Sequence, residues 1–199
     1  LRLVRPDGIP FPGWAPGAHV DVVIAPGLER QYSLCGDPAD VRTWTIAVLR
    51  ETDSRGGSIH LHEEVTTGSR LQVRGPRNEF PLEAAETHLF IAGGIGITPL
   101  LPMIRELAAC EADWRLVYGG RTASSMAFVD ELAAWGDRVT LWPEDERGLI
   151  DLDGLLGEPA VGTKVYCCGP GSLIDAVEER CAAWPTGTLH VERFRPKDG

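Results

Sequence analysis

Four short stretches of the chain carry residue types that can bind a phosphorylated ligand with a flat ring. In Arg30-Gln31-Tyr32-Ser33-Leu34 the arginine can hold a phosphate through two parallel hydrogen bonds, and the tyrosine ring can stack on a heterocycle. Arg55-Gly56-Gly57-Ser58 offers backbone N–H groups and a hydroxyl at a predicted helix start, which suits a terminal phosphate. Tyr166-Cys167-Cys168-Gly169-Pro170 places a thiol at the end of a predicted strand, and His190-Val191-Glu192-Arg193-Phe194 ends in an aromatic ring. Each stretch by itself also suits an ordinary strand, turn or packing contact.

A glycine-rich turn between a predicted strand and a predicted helix is a fifth candidate. Residues 89–92 form a short apolar run typical of a buried strand, and Gly93, Gly94 and Gly96 follow where the backbone must turn. Thr98 can cap the helix that follows, and the free N–H groups at a helix start favour an anion. The spacing differs from Gly-x-Gly-x-x-Gly, so this turn alone is equally consistent with a structural role.

The first 80 residues alternate between short β-type runs and turns rich in glycine and proline. This pattern predicts a small antiparallel barrel. Its predicted strands are residues 19–24, 30–34, 44–50 and 70–74, and a predicted helix at 58–65 has Ser58 as its N-cap.

From about Glu83 the pattern changes to strands that alternate with helices, which predicts a parallel sheet covered on both faces. The predicted strands are 89–92, 114–118, 138–142, 164–168 and 188–191, and the predicted helices are 99–109, 124–135 and 171–183. Glycine clusters follow three of these strands, at 93–96, 119–120 and 169–171. Because ligands of such sheets bind at the carboxyl ends of the strands, these clusters predict one open crevice along that edge.

Composition excludes several classes of protein. The chain has 199 residues and a net charge of −10, which argues against a nucleic-acid partner. No apolar run approaches the ~20 residues of a membrane span. The five cysteines form no Cys-x-x-Cys pair, so we expect a reduced, cytoplasmic chain with no metal site, although His60-x-His62 leaves a weak metal alternative. Since the sequence starts at Leu1 without methionine, we expect a fragment of a longer polypeptide.

Taken in order, these motifs resemble the ferredoxin–NADP⁺ reductase superfamily. The motifs are Arg-x-Tyr-Ser, Arg-Gly-Gly-Ser, Gly-Gly-Ile-Gly-Ile-Thr-Pro, Cys-Gly-Pro and Glu-x-Phe, and they cover almost the whole chain. The segment Pro76–Leu82 and the motif around Trp184-Pro185 are most similar to its phthalate dioxygenase reductase branch. The resemblance implies an FMN-binding β-barrel domain at 1–82 that lacks its first strand, and an NAD(P)-binding α/β domain at 83–199. It also implies a plant-type [2Fe–2S] domain beyond Lys197-Asp198-Gly199.

The resemblance further implies roles for individual residues. Four would surround the reacting atoms: Ser33 near the flavin N5, Thr98 between flavin and nicotinamide, Cys168 near the nicotinamide, and Glu192 hydrogen-bonded close by. The FMN site would contain Arg30, Gln31, Tyr32, Ser33, Ala47, Val48, Leu49, Gly56, Gly57, Ser58, Thr98 and Phe194, the last covering the flavin ring. The NAD(P) site would contain Gly93, Gly94, Gly96, Arg121, Thr122, Ser124, Cys168, Gly169 and Pro170.

The implied activity is hydride transfer from NAD(P)H to FMN, followed by delivery of single electrons to a [2Fe–2S] centre that serves an oxygenase or a cytochrome P450. The turn after the second parallel strand contains no acidic residue, and Arg121 can bind a 2′-phosphate, so we expect NADPH to be accepted alongside NADH. Two alternatives stay open: FAD in place of FMN, and a non-catalytic nucleotide- or flavin-binding module that senses a ligand or docks a partner.

Overall fold

The antiparallel part of the fold consists of two small sheets. A computed structural model describes residues 1–51 and 56–194. Strand β1 (Arg2–Val4) pairs with β4 (Thr43–Thr45), while β3 (Leu28–Ser33), β2 (Ala18–Ala25) and β5 (Gln72–Asn78) form the second sheet in that order. A single bridge between Leu34 and Ile46 joins the two sheets. The apolar side chains between them form one core with helix α1 (Gly57–Glu63): Ala18, Val20, Val22, Leu34, Trp44, Ile46 and Leu61.

The sequence predictions for this part are partly confirmed. The strands predicted at 19–24, 30–34 and 70–74 are present with shifted ends, whereas the pattern does not predict β1. The strand predicted at 44–50 is too long, because the Val48 carbonyl is contacted by His62 of α1 at 2.8 Å instead of pairing with a strand. The N-cap of α1 is Gly56, so the prediction of Ser58 as the cap is wrong. The Ser58 hydroxyl instead accepts a hydrogen bond from the Glu51 N–H at 3.2 Å.

The second part is a five-stranded sheet in which every pair is parallel. Its strands are β6 (Thr87–Gly93), β7 (Asp113–Gly120), β8 (Val139–Pro143), β9 (Thr163–Cys168) and β10 (Leu189–Glu192), in the order β10-β9-β6-β7-β8. Its helices are α2 (Ile97–Ala109), α3 (Val129–Leu132), α4 (Glu144–Arg147), α5 (Leu152–Leu156) and α6 (Gly171–Arg180).

Both faces of this sheet are covered, because successive side chains of a strand point to opposite sides. In β6, Phe90 and Ala92 belong to the core that contains Leu101 of α2, and Ile91 belongs to the core that contains Ile174 of α6. The predicted fold class, an antiparallel β part followed by a parallel α/β part, is therefore confirmed. Within the described ranges no helix has the length and apolar character needed to cross a bilayer.

One predicted helix is wrong. Residues 124–135 form a 3₁₀ turn (Ala123–Ser125), the short helix α3 and a second 3₁₀ segment (Ala133–Arg138). A continuous helix is interrupted because Phe128 adopts a left-handed conformation with φ of +63°. The Thr122 side chain also caps the first turn by accepting from the Ser125 N–H.

The helices that adjoin the strand ends are closer to prediction. Helix α2 starts at Ile97 after a 3₁₀ turn (Gly94–Gly96), and its N-cap is Gly96. The prediction of Thr98 as the cap is therefore wrong. Helix α6 ends at Arg180 and continues as a 3₁₀ turn to Ala183, close to the predicted end.

Candidate functional site

The candidate site lies where strands of both parts end. The turn after β6 packs directly on the turn after β9: a Cβ at Gly93 would lie 2.7 Å from Cδ of Pro170, and one at Gly96 would overlap the Cys168 carbonyl. Glycine is needed at these two positions because the neighbouring turn leaves no room for a side chain. Gly94 differs, since it has φ of +54° and open space around it. Of the three glycines predicted to admit a pyrophosphate, only Gly94 therefore faces free space.

Three of the four predicted catalytic residues come together at this junction. The Ser33 hydroxyl, at the end of β3, donates a hydrogen bond to Oε2 of Glu192 in β10 at 3.3 Å, although 159 positions separate the two residues. Glu192 is the register partner of Cys168 in the neighbouring strand β9. Ser33 is 3% exposed, Cys168 is fully buried and Glu192 is partly buried, so this polar cluster is largely shielded from water where the sheet of β3 meets the parallel sheet.

Burial sets the protonation of this cluster. Loss of solvent raises the pKa of Glu192 to about 7, an effect that the hydrogen bond from Ser33 opposes and the charge of Glu79 reinforces. Burial, assisted by the nearby Glu192, also raises the pKa of the Cys168 thiol well above its ordinary value. A thiol in this state is a neutral contact and not a nucleophile. The cluster can therefore orient a ligand and hold a proton, but it does not resemble a thiolate site.

Thr98, the fourth predicted catalytic residue, lies in the first turn of α2. Its hydroxyl donates to the Ile95 carbonyl at 3.0 Å, and the residue is 2% exposed. This bond fixes the start of α2 to the glycine turn. Thr98 therefore shapes the turn that borders the junction.

The antiparallel part contains a cradle that fits a phosphate. A Cβ at Gly57 would lie 2.9 Å from Cγ of Arg30, so the arginine side chain lies directly against the first residue of α1. The backbone of Gly56 turns there with φ of +92°, and Ser58 is buried beside it. Nη1 of Arg30 donates to the Glu29 carbonyl at 2.8 Å, while Nε is the guanidinium nitrogen nearest the helix start. A guanidinium next to the N–H groups of a helix start is a donor set that suits a phosphate. Arg55 lies outside the described residues.

The other predicted flavin residues vary in exposure. Tyr32 is half-buried, and burial raises the pKa of its hydroxyl to about 12. Ala47 and Val48 are partly buried, whereas Gln31 is exposed, Leu49 is 51% exposed and Phe194 is 42% exposed. The exposed side chains of Gln31, Leu49 and Phe194 are accessible to the ring system of a ligand bound at this surface.

The turn after β7 carries the residues predicted to meet the coenzyme's ribose. Oγ1 of Thr122 and Oγ of Ser124 lie 3.1 Å apart, and Arg121 is exposed. A cleft of about 400 Å³ beside this turn is lined mainly by apolar side chains, among them Met126 and Leu141.

Sequence reasoning missed an acidic group near this turn. The Asp145 N–H donates to the Arg121 carbonyl at 3.2 Å, and Glu146 lines the cleft. Both acids belong to α4, which follows β8, the parallel neighbour of β7, so α4 lies beside the turn after β7 at one edge of the sheet. The available signal was the acidic run 144–146 directly after a predicted strand.

No metal site is evident in the described part of the chain, where no group of three or more His, Cys, Asp or Glu is positioned to hold an ion. Of the His60-x-His62 pair, His62 contacts the Val48 carbonyl at 2.8 Å.

The fold is that of the ferredoxin–NADP⁺ reductase-like class: antiparallel β sheets are followed by a five-stranded parallel sheet with helices, and a polar cluster lies between them. The chain belongs to the family described as "Dimethylamine monooxygenase subunit DmmA-like, N-terminal domain", whose model matches residues 70–187, and to the phthalate dioxygenase reductase-like branch of that superfamily.

Individual relatives agree with this assignment. The chain is 40% identical to phenoxybenzoate dioxygenase subunit beta of Ectopseudomonas oleovorans over 100% of this chain and 62% of the relative. It is 38% identical to phthalate dioxygenase reductase of Burkholderia cepacia over 98% of this chain and 62% of the relative. The chain thus spans about three fifths of the length of the curated relatives it matches.

Solved structures show the same likeness. An intact type IV self-sufficient cytochrome P450 monooxygenase matches with a TM-score of 0.95 and 46% identity, over 100% of this chain and 26% of that chain. Phthalate dioxygenase reductase, described as a modular structure for electron transfer from pyridine nucleotides to [2Fe–2S], matches with a TM-score of 0.92 and 37% identity. That match covers 100% of this chain and 64% of that chain.

Proposed function

We propose that this chain is the flavin and nicotinamide part of a reductase that takes a hydride from NAD(P)H onto FMN and passes single electrons to a [2Fe–2S] centre. The observation that carries the proposal is the largely buried cluster of Ser33, Glu192 and Cys168, which lies where the sheet of β3 meets the parallel sheet. When bound, the two cofactors supply the redox chemistry, and the protein supplies position and electrostatics. We place the flavin in residues 1–82 and the nicotinamide in residues 83–199.

The side chains at the junction orient ligands and exclude water. With a pKa of about 7, Glu192 is largely protonated in weakly acidic solution and can both donate and accept a hydrogen bond there. Ser33 holds that carboxyl, and the buried Cys168 closes the cluster from the side of the parallel sheet. Thr98 and Gly94 border the space in which the nicotinamide would lie, and Phe194 would cover the flavin ring until the nicotinamide replaces it.

FMN is favoured over FAD by the phosphate cradle. Arg30, Gly57 and Ser58 form a compact donor set for one terminal phosphate, and Tyr32 offers a ring face beside it. Gln31 and the backbone of 47–49 would contact the ring and the ribityl chain. Acid release of the flavin followed by chromatography distinguishes the two: FAD as the only released flavin would contradict this assignment.

Both coenzymes are proposed to react. Arg121, Thr122 and Ser124 offer donors for a 2′-phosphate, while Asp145 and Glu146 of the neighbouring helix α4 oppose one. The ratio of kcat/KM for NADPH to that for NADH measures the balance. Arg121→Ala should lower this ratio and Glu146→Gln should raise it, while equal effects on both coenzymes would argue against a phosphate site here.

The proposed partners are a plant-type [2Fe–2S] ferredoxin domain and a terminal oxygenase or P450 haem domain, without nucleic acid or membrane, in the cytoplasm. The relatives named as oxygenase and monooxygenase reductase subunits support the oxygenase partner.

One experiment tests the core of the proposal. The purified chain should be yellow with flavin absorbance, and NADPH or NADH should bleach it under anaerobic conditions. Bound flavin that neither coenzyme reduces would favour the non-catalytic module, and a chain that binds no flavin when reconstituted with FMN would refute the assignment.

A further inference from the structure

Arg105 of α2 crosses the boundary between the two parts of the molecule. Nη1 of Arg105 on α2 donates to the carbonyl oxygens of Cys35 at 2.7 Å and Gly36 at 2.9 Å. Its Nε and Nη2 donate to the two carboxylate oxygens of Glu131 on α3 at 2.6 and 2.9 Å. The guanidinium therefore uses four of its five N–H groups to hold one turn of the antiparallel part and one helix of the parallel part.

Both ends of this contact adjoin the candidate site. Cys35 follows Ser33 by two residues, and its own N–H donates to the Thr45 carbonyl at 2.9 Å, so the turn is fixed to β4. Arg105 follows Thr98 by seven residues, which places both side chains on the same face of α2. A shift of the guanidinium would thus change the distance from the Ser33 end of β3 to the start of α2.

Other polar contacts also cross the boundary. The Tyr166 hydroxyl of β9 donates to the Pro81 carbonyl at 3.1 Å, next to the point where the chain passes from one part to the other. The Ser33–Glu192 bond is 3.3 Å long, whereas the bonds of Arg105 are short and carry a formal charge. Met103 of α2 also lies close to Gly17, since a Cβ at Gly17 would be 3.0 Å from its Cε, but such apolar proximity sets no direction. The bonds of Arg105 differ from the Tyr166–Pro81 bond in where they end: they hold the turn at Cys35 and Gly36, next to Ser33, and so can fix the separation on which the Ser33–Glu192 bond depends.

We propose that Arg105 is a positioning residue: oriented by Glu131, it holds the turn at Cys35 and Gly36 so that Ser33 and Glu192 stay in contact and water stays out of the junction. Its kinetic consequence rests on the proposed function, but its structural consequence does not. The groups that act on the Glu192 carboxyl from the elements packed around it are Ser33, Cys168 and Glu79. Arg105 acts on the carboxyl through the spacing of the two parts.

The test compares Arg105→Met, which keeps the apolar stem and removes every donor, with Arg105→Lys and Glu131→Gln. Arg180→Met is the matched control, because Arg180 pairs with Asp153 at 2.7 Å entirely within the parallel part. One readout is the ¹³C titration of the Glu192 carboxyl in the flavin-free chain, and the other is the rate of flavin reduction by stopped flow in the FMN-loaded chain.

Arg105→Met should lower the titration midpoint of Glu192 by about one pH unit as water enters. It should also slow flavin reduction at least about tenfold, since a misplacement of about 1 Å can cost a hundredfold in rate. For Arg105→Lys, both the titration midpoint of Glu192 and the rate of flavin reduction should lie between those of Arg105→Met and the wild type, because lysine donates to carbonyls without the bidentate pairing. Glu131→Gln should change both readouts less than Arg105→Met does, and Arg180→Met should change neither.

The inference is overturned if Arg105→Met matches Arg180→Met in both readouts, or if the rate falls while the midpoint of Glu192 stays fixed. If Arg105→Met does not fold, the same comparison of Arg105→Lys and Glu131→Gln with the control Arg180→Met decides whether Arg105 is a positioning residue. A wild-type chain that neither coenzyme reduces would defeat the proposed function, while the carboxyl titration would still decide the role of Arg105.

Discussion

Glu192 should make the folded protein less stable as the pH rises, and Glu192→Gln should remove this loss. The carboxyl has an ordinary pKa of 4.5 and one of about 7 in the folded chain, mainly because it is buried. Each tenfold change in proton affinity is worth about 1.4 kcal/mol, so the shift of the Glu192 pKa from 4.5 to about 7 means that ionisation costs the folded state at most about 3.5 kcal/mol. A glutamine keeps the shape and can still accept the Ser33 hydrogen bond, but it never ionises.

The pH window follows from the sign of the shift. Below pH 4.5 the carboxyl is protonated in both states, and its full contribution to stability is present. As the pH rises, the unfolded chain releases its proton first, and the folded chain keeps it until about pH 7. The wild type therefore loses stability between these two values relative to Glu192→Gln.

Urea unfolding of both chains at pH 5 and pH 8 measures this loss. The free-energy advantage of Glu192→Gln should grow by about 2–3 kcal/mol between the two conditions. Glu158→Gln removes the same formal charge from an exposed position and serves as the control. An advantage of Glu192→Gln that is the same at both pH values would refute the reasoning that burial holds the proton on this carboxyl.

Further predictions concern the thiol and the glycine turn. Cys168→Ala should slow hydride transfer without abolishing it, because a buried neutral thiol positions ligands and does not react. Stopped-flow flavin reduction measures this rate, and complete loss of flavin reduction with FMN still bound would contradict the prediction. Gly96→Ala should destabilise the chain by about 3 kcal/mol in urea unfolding, because its Cβ overlaps the Cys168 carbonyl. Gly94→Ala should cost only about 1–2 kcal/mol, from its left-handed backbone alone, and equal losses at both positions would contradict the packing described here.

The parallel sheet was predictable because its signals are local. Residues 89–92 are apolar without a break and are followed by glycines, which is how a strand buried on both faces appears in a sequence. Strand β6, whose Phe90 and Ile91 pack into opposite cores, shows this uninterrupted apolar pattern most clearly. Similar local patterns located the other four strands to within a few residues.

Errors arose where a tertiary contact or a backbone angle overrides the local pattern. The residue types around Phe128 do not predict a left-handed backbone conformation there, so the sequence of 124–135 has the pattern of one continuous helix. The meeting of Ser33 with Glu192 spans 159 positions and depends on the packing of two sheets, which no local pattern encodes. Likewise, Asp145 reaches the Arg121 turn only because β8 lies next to β7.

The choice of glutamate at position 192 has a consequence for the reaction. A glutamine could make the same contact with Ser33 without the cost in stability, so what the glutamate adds is a proton that it exchanges near pH 7. A hydride transfer at this junction would leave a positive charge on the nicotinamide and a negative charge on the flavin, and an ionised carboxylate held by Ser33, on the flavin side, would oppose the negative charge. Under the proposed function, flavin reduction in the wild type should therefore slow as the pH rises through about 7, while Glu192→Gln should show a flat profile. Stopped-flow reduction between pH 6 and 8.5 tests this, and parallel profiles for the two chains would show that the proton on Glu192 is not linked to the hydride step.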